Sequence, residues 1–275
     1  MHDQSKQPSS HAIARAVAQV LERNSLAALA TLVEASARVG AKLLVEETGE
    51  RTGSLGDFGL DEAVASFAGT FLASRAEART FKLEELISET QGQPDARILF
   101  ERIEPEPRLV ICGAGHVGAS LAQLARLIGY RTVLIDDRAD FVTRERFPDE
   151  DIELIEASNW TDAVRTSLGA GRNVAVAVVT RGHNEDEECM RAIMSTRPDY
   201  VGLIGSRRRT NIVLERLREA GIDEKHLRRV RAPIGLDIGA VTPQEVALSI
   251  LAEIIAERRG GTGAPLSIWR RRDSG

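Results

Sequence analysis

Cysteine is scarce in this chain: Cys112 and Cys189 are the only two in 275 residues. Two cannot build a disulfide framework, and their spacing matches no zinc-ligand pattern, which fits a reducing compartment. Positive charge is not in excess. Lys and Arg number 36 against 41 Asp and Glu, for a net charge of −5, so no global field draws in nucleic acid and no such partner is expected. No apolar run approaches the roughly 20 residues of a membrane span, and Met1 to Ser10 is polar, without a signal-peptide core. A soluble, cytoplasmic protein without a membrane partner is expected. No internal repeat is found. Also missing are a Ser/His/Asp relay and a Lys or Tyr placed as in a hydride-transfer enzyme. No catalytic residue and no metal ligand is therefore assigned, and turnover of a substrate is not expected.

What is there is an ordinary globular composition, 43% hydrophobic and 28% charged, long enough for two domains or one large one. The most informative stretch is a glycine-rich turn behind a short apolar strand, Leu109 to Cys112. The turn reads Gly113-Ala114-Gly115-His116-Val117-Gly118. An amphipathic stretch from Ala119 to Ile128 follows and stops at Gly129. A second apolar run, Thr132 to Ile135, then delivers Asp136, Asp137 and Arg138. Strand, turn, helix, strand, acid is the order of a dinucleotide-binding unit. Gly113 permits the tight turn, Gly115 lets a pyrophosphate approach the backbone, and Gly118 lets the helix pack on the strand. The helix start offers free N–H groups to phosphate, and an acid some twenty residues on suits a ribose hydroxyl. The other reading keeps the turn for packing alone.

Before this unit the pattern is mixed. Ser10 to Asn24 has helical spacing through Ile13, Val17, Val20 and Leu21. Leu26 to Val33 is ambiguous between strand and helix. Lys42 to Glu46 reads as a strand, Thr48-Gly49-Glu50 as its turn, and Gly53-Ser54-Leu55-Gly56 as a loop. A helix is expected over Asp61 to about Ala78, with Ala63, Val64, Phe67, Phe71 and Leu72 on one face. Phe81 to Leu83 and Ile98 to Ile103 read as strands. Pro105 and Pro107 then stop secondary structure and mark a domain boundary.

Beyond the glycine turn, strand and helix alternate: Ile152 to Ile155, Asp162 to Leu168, Val174 to Val179, Glu185 to Thr196, Tyr200 to Ile204, Ser206 to Ala220. This argues a parallel sheet covered on both faces. The last helix has a marked start, with Thr242 as N-cap, Pro243 at the first position and Glu245 completing a capping box. It runs to about Arg259 and ends at Gly260-Gly261. The expected class is α/β: a C-terminal Rossmann-like parallel sheet over 106–260, a smaller N-terminal α+β domain over 1–105, and a loose Arg-rich tail over 261–275. Residues 1–9 are expected to be disordered.

Ligands bind beyond the carboxyl ends of the strands in such sheets. That edge collects Gly113, Gly115, His116 and Gly118, then Asp136, Asp137 and Arg138, then Arg181 and His183, then Gly205, Ser206 and Arg207. Three arginines, Arg207, Arg208 and Arg209, stand at a helix start, where the dipole disfavours cations. An anionic ligand would relieve them, and Ser206 and Arg207 lie closest to the strand end. Arg208 and Arg209 pair equally well with acids such as Glu215 and Glu219. His183 is an acid, base or ligand candidate, or else a polar loop residue. His116 bonds a ligand or packs on its helix. Cys112 is a core thiol, and nothing basic activates Cys189. The loop Pro233-Ile234-Gly235-Leu236-Asp237-Ile238-Gly239 lacks periodicity. It either admits a ligand's close approach or packs under the sheet edge.

Assembled, these pieces resemble the XdhC/CoxI accessory proteins of molybdenum hydroxylases such as xanthine dehydrogenase. CGAGHVG (Cys112 to Gly118), IDDR (Ile135 to Arg138), VVTRGHNEDEE (Val178 to Glu188), YVGLIGSRRR (Tyr200 to Arg209) and APIGLDIGAVTPQEVALSILAEII (Ala232 to Ile255) carry the likeness. GAKLLV (Gly40 to Val45) and GSLG (Gly53 to Gly56) add a weaker one. The resemblance implies a chaperone that binds the molybdenum cofactor (molybdopterin), helps its sulfuration, protects it and delivers it. Implied partners are an apo molybdenum hydroxylase and a cysteine desulfurase, with a homodimer common. Many members carry a Cys just after the first-domain glycine loop; here Gly56 is followed by Asp57, Phe58 and Gly59, so a thiol at that place is ruled out. Two other classes stay open: an oxidoreductase using a dinucleotide such as NAD, with the strand-end acid disfavouring a 2′-phosphate, and a nucleotide-sensing module.

Overall fold

A computed structural model describes residues 10–86, 96–169 and 172–267. The chain divides into two compact units, Met1–Pro105 and Glu106–Gly275. The looseness expected of residues 1–9 and of the tail from 268 onward lies outside the described residues.

The N-terminal unit contains α1 (Ser10–Glu22), β1 (Ala27–Glu34), β2 (Lys42–Glu46), β3 (Arg51–Ser54), α2 (Phe58–Ala73), β4 (Ala78–Lys82) and β5 (Arg97–Ile103). Its antiparallel sheet runs β3-β2-β1-β5-β4. The ambiguity of the first apolar run is resolved as strand. Ala27 and Leu29 of β1 pack on Ile13, Ala16 and Val20 of α1, while Ala28, Ala30 and Leu32 face Val64, Ala68 and Phe71 of α2. A central strand covered on both faces shows no polar alternation. Phe67, Phe81 and Phe100 meet edge to face, with centroids 4.8 to 5.6 Å apart. This unit holds no Trp and no Tyr.

Three local expectations are corrected here. Gly53 and Ser54 complete β3 rather than a loop, because Gly53 pairs with Leu43 so closely that a Cβ would lie 2.3 Å from the Lys42 carbonyl oxygen. The helix α2 starts at Phe58, since Asp57 caps it, and stops at Ala73, where Arg75 turns left-handed at φ 60°. Leu83 leaves the strand for a short 3-10 turn, Leu83–Glu85.

The C-terminal unit contains β6 (Arg108–Cys112), α3 (His116–Leu127), β7 (Arg131–Asp136), β8 (Ile152–Glu156), α4 (Trp160–Leu168), β9 (Val174–Val178), α5 (His183–Thr196), β10 (Tyr200–Leu203), α6 (Arg207–Glu219), α7 (Glu224–Leu227) and α8 (Pro243–Arg259). The sheet is parallel throughout, in the order β10-β9-β6-β7-β8. This is the expected Rossmann-like architecture. The strand order reverses between β6 and β9, where such sheets open a crevice. Leu109, Ile111 and Leu134 lie under α3 and α8, through Leu121, Ala125, Ile250 and Ile254. Val110, Cys112 and Val176 lie under α4, α5 and α6, through Val164, Met190, Ile193 and Val213. Burial on both faces is why β9 reads as an unbroken apolar run.

Helix α8 starts as its sequence predicts. The Thr242 hydroxyl accepts the Glu245 N–H at 3.3 Å, and the Glu245 carboxylate accepts the N–H groups of Thr242 at 2.8 Å and Val241 at 2.9 Å. The loop before it packs along the sheet edge. The Arg231 N–H donates to the Val201 carbonyl and the Ile234 N–H to the Leu203 carbonyl, extending the sheet beside β10. Buried Ile234 occupies the space a side chain at Gly202 would need.

Candidate functional site

The three glycines of the turn answer to different constraints. Gly113 sits at φ 114°, and a Cβ there would lie 2.6 Å from the Val179 carbonyl oxygen. A Cβ on Gly118 would lie 1.8 Å from the Gly113 carbonyl oxygen, so α3 is seated directly on the turn. Gly115 is different. Its φ of −67° suits any residue, and a Cβ would meet nothing within 4 Å. Neither backbone nor packing asks for glycine at this position. The open space in front of it is what a close-approaching ligand would use.

That space faces the start of α3, which is chemically bare. Its N-cap is Gly115, which supplies no acceptor, and no acid stands in the first turn. Elsewhere the chain provides one: Asp57 for α2, Asn159 for α4, Ser206 for α6, Asp223 for α7 and Thr242 for α8. The helix α5 also begins on glycine, Gly182, but carries Glu185 and Asp186 in its first turn. The Glu185 carboxylate folds back so far that a Cβ on Gly182 would lie 2.2 Å from it. Among the described helices with a described N-cap, α3 alone has neither a side-chain cap nor an acid. Unsatisfied N–H groups with the positive end of the helix dipole form an anion site.

The acid at the end of β7 does not face this space. Asp136 is 1% exposed. Its carboxylate accepts the Ala114 N–H at 2.7 Å, the Arg138 N–H at 3.0 Å, and the Arg138 guanidinium at 2.8 and 3.0 Å. Burial alone would raise this carboxyl, but the Arg138 fork and the two backbone N–H groups outweigh it and hold it below its ordinary value. Every lone pair is engaged, so Asp136 anchors the glycine turn and has none left for a ribose diol. Arg138 also lies over the Phe141 ring at 3.5 Å. Arg146 stacks at 4.6 Å on that ring and donates to the Ala114 carbonyl. Neither Phe141 nor Arg146 stands out in the sequence.

Asp137 and Arg181 form a two-pronged ion pair, Nη1 to Oδ1 at 2.9 Å and Nη2 to Oδ2 at 2.8 Å. Asp137 follows β7 and Arg181 follows β9, the two strands that flank β6. The pair therefore reaches across the tip of β6, where the glycine turn leaves the sheet. Glu185 lies 3.5 Å from the same guanidinium. His116 and His183 are each the first residue of their helices, α3 and α5, and neither is buried.

The arginine-rich stretch divides. Arg209 turns inward to the fully buried Asp186, at 2.6 and 3.0 Å, and to the Thr180 carbonyl. The Thr180 hydroxyl donates to the same carboxylate at 2.5 Å. Burial nevertheless pushes the Asp186 carboxyl up, against the pull of Thr180 and Arg209. The expected partners Glu215 and Glu219 are not the ones used by Arg209; Glu215 pairs with Arg218. Ser206 caps α6 through the Arg209 N–H. Arg207 and Arg208 stay exposed. Gly205, at φ 144°, leaves β10, two strands from β6. The turn residues, Asp136, Asp137, Arg138 and Arg181 are thus one connected cluster, with Gly205 to Arg207 set to its side.

Cys112 and Cys189 are both fully buried in one apolar cluster. Burial, then a hydrogen bond with the Cys112 thiol, pushes the Cys189 thiol well up, so Cys189 stays neutral, and both thiols are enclosed. A cavity of about 450 Å³ lies at the opposite edge of the sheet, lined by Arg108, Arg126, Tyr130 and Glu153 among others. Arg108 pairs there with Glu153, and Arg126 with Asp149 and Asp151.

Comparison with known proteins gives a consistent picture. The XdhC Rossmann domain matches residues 109–254, and the XdhC and CoxI family domain matches residues 20–82. The chain is 31% identical over 256 residues to the uncharacterized protein YqeB of Escherichia coli (strain K12), covering 90% of this chain and 46% of YqeB. It is 33% identical over 162 residues to a probable xanthine dehydrogenase subunit of Bacillus subtilis (strain 168), covering 59% and 46%. It is 27% identical over 154 residues to the molybdenum cofactor insertion chaperone PaoD of Escherichia coli (strain K12), covering 56% and 41%. The chain spans less than half the length of each of these relatives. A crystal structure of a xanthine dehydrogenase from Bacillus halodurans shares the fold, with a TM-score of 0.65 at 20% identity over 90% of this chain and 66% of that one.

Proposed function

Since the chain belongs to the XdhC and CoxI family, we propose that it is a maturation factor for a molybdenum hydroxylase of the xanthine dehydrogenase type. It takes the molybdenum cofactor as cargo at the start of α3, shields it, and passes it to the apo-enzyme. It works in the cytoplasm as a homodimer. The observation that carries this reading is the bare start of α3, with an arginine, Arg181, alongside. The cargo ends in a phosphate, and free N–H groups, a helix dipole and a guanidinium fork suit phosphate. A dinucleotide read through its ribose is less well served, because Asp136 has no free lone pair.

Sulfuration needs a division of labour. Both thiols of the chain are enclosed, and the place where many relatives carry a cysteine is held by Asp57, which caps α2. Sulfur therefore comes from a cysteine desulfurase that meets the cargo while this protein holds it. The test is cofactor content. The protein is expressed in a host that makes molybdopterin, purified without oxygen, and its released small molecules are oxidised and read as pterin fluorescence beside molybdenum. Near-stoichiometric pterin in the wild type, and its loss in Gly115→Val at unchanged melting temperature, is the expected result. Equal pterin in both moves the site away from α3; pterin-free wild type sinks the reading.

A further inference from the structure

The bidentate pair of Asp137 and Arg181 crosses the one helix start, among the described helices with a described N-cap, that has neither a side-chain cap nor an acid. We infer that Asp137 holds Arg181 in reserve over the glycine turn, and that the exchange of Asp137 for a ligand selects a terminal phosphomonoester over an internal phosphodiester. This deepens the reading above and rests on the ligand's phosphate lying at the start of α3.

The geometry sets the competition. Arg181 presents its planar fork to a carboxylate that offers two oxygens and one charge. A phosphodiester also offers two free oxygens and one charge, so it gains nothing over Asp137. A terminal phosphate offers three oxygens and a charge of about −1.5 to −2 at neutral pH. Only the monoester is the better partner for the fork, and it simultaneously fills the N–H groups of α3. Displacement is cheap on the protein's side. The Arg181 and Asp137 side chains are 49% and 26% exposed, and ion pairs at such exposure contribute little to folding. Once released, Asp137 meets water. The neighbouring acid cannot take over the reserve, because Asp136 is buried and bonded to Arg138 and Ala114. Glu185, at 3.5 Å, keeps Arg181 near the crevice during the exchange. Asp137 is thus a specificity-determining residue that works by occupying the cation the ligand needs.

The test compares two probes that differ by a single methyl ester: adenosine 5′-monophosphate and its phosphate methyl ester, titrated calorimetrically into the whole protein. The wild type is expected to prefer the free monoester. Asp137→Asn should tighten the methyl ester about fivefold, the most an exposed ion pair's coupling allows, and so narrow the preference, with an unchanged melting temperature. Arg181→Gln should lose the preference altogether. Binding of both probes with a ratio untouched by Asp137→Asn overturns the reserve while leaving phosphate at α3. Equal affinity of the two probes for the wild type overturns it as well. No binding of either probe, or of inorganic phosphate, to wild type and Asp137→Asn removes the phosphate site and the reserve together. Pterin content reports on the carrier reading separately.

Discussion

At the start of α2, Asp57 accepts the Leu60 N–H at 2.9 Å, and Asp61 accepts the Leu55 N–H at 2.7 Å and the Ser54 hydroxyl at 2.6 Å. At the start of α3, Gly115 offers no acceptor and no acid follows. Both helices cover a sheet, and both follow a glycine-bearing turn. In the N-terminal unit the turn consumes its own polar groups; in the C-terminal unit the turn is braced from behind by Asp136 and left open in front. The contrast separates two uses of glycine. Gly53, Gly113 and Gly118 are there because backbone comes too close for a side chain, and Gly115 is there although nothing in the chain comes close.

That contrast can be broken by substitution. The largest effect is expected from Arg209→Ala, which strips the cation from buried Asp186 at the start of α5 and should cost about 3 to 5 kcal/mol by urea unfolding. The deficit should shrink on acidification. Burial holds the folded Asp186 carboxyl above its ordinary value, so the folded state takes up its proton before the unfolded state does. Ionised Asp186 weakens the fold at neutral pH, and that loss is relieved as pH falls through the raised value towards the ordinary one. A deficit constant from neutral to acid pH would refute this account. Gly118→Ala, which drives a methyl group into the Gly113 carbonyl, should cost about 1 to 3 kcal/mol; a wild-type unfolding midpoint would mean α3 is not seated as described. Asp57→Ala removes a cap that is present and should lower stability by about 1 kcal/mol, read by far-ultraviolet circular dichroism. Gly115→Ala tests the empty start. It should leave stability within about 0.5 kcal/mol of wild type while lowering cofactor retention, and a large stability loss would show that the space is not open.

Much of the fold is legible where one force acts alone. The unbroken Val174–Val179 run, which folds as strand through Val178, and the Thr242–Glu245 capping box each state their structure locally. Boundaries fail where tertiary partners decide. The helix α2 reads as starting at Asp61 until Asp57 is seen to cap it at Phe58, and Gly53 reads as loop until the Lys42 backbone is seen beside it. The four-residue α7 is too short for periodicity to register. At the site, spacing places Asp136 and the arginines at the carboxyl edge of the sheet but cannot tell which way a carboxylate faces. The fully buried Asp186 demands a cation, and that demand selects Arg209 from three neighbouring arginines.

The edge-to-face phenylalanines of the N-terminal unit have a practical corollary. Tyr130, Tyr200, Trp160 and Trp269 all belong to the C-terminal unit, and the N-terminal unit has no indole or phenol chromophore. Intrinsic fluorescence excited at the red edge is therefore blind to that unit. The edge-to-face Phe67, Phe81 and Phe100 rings displace each other's proton resonances, so nuclear magnetic resonance sees the silent part directly. The protein carries two separate optical and magnetic labels by composition alone, and each unit's melting can be followed in the intact chain without adding a probe.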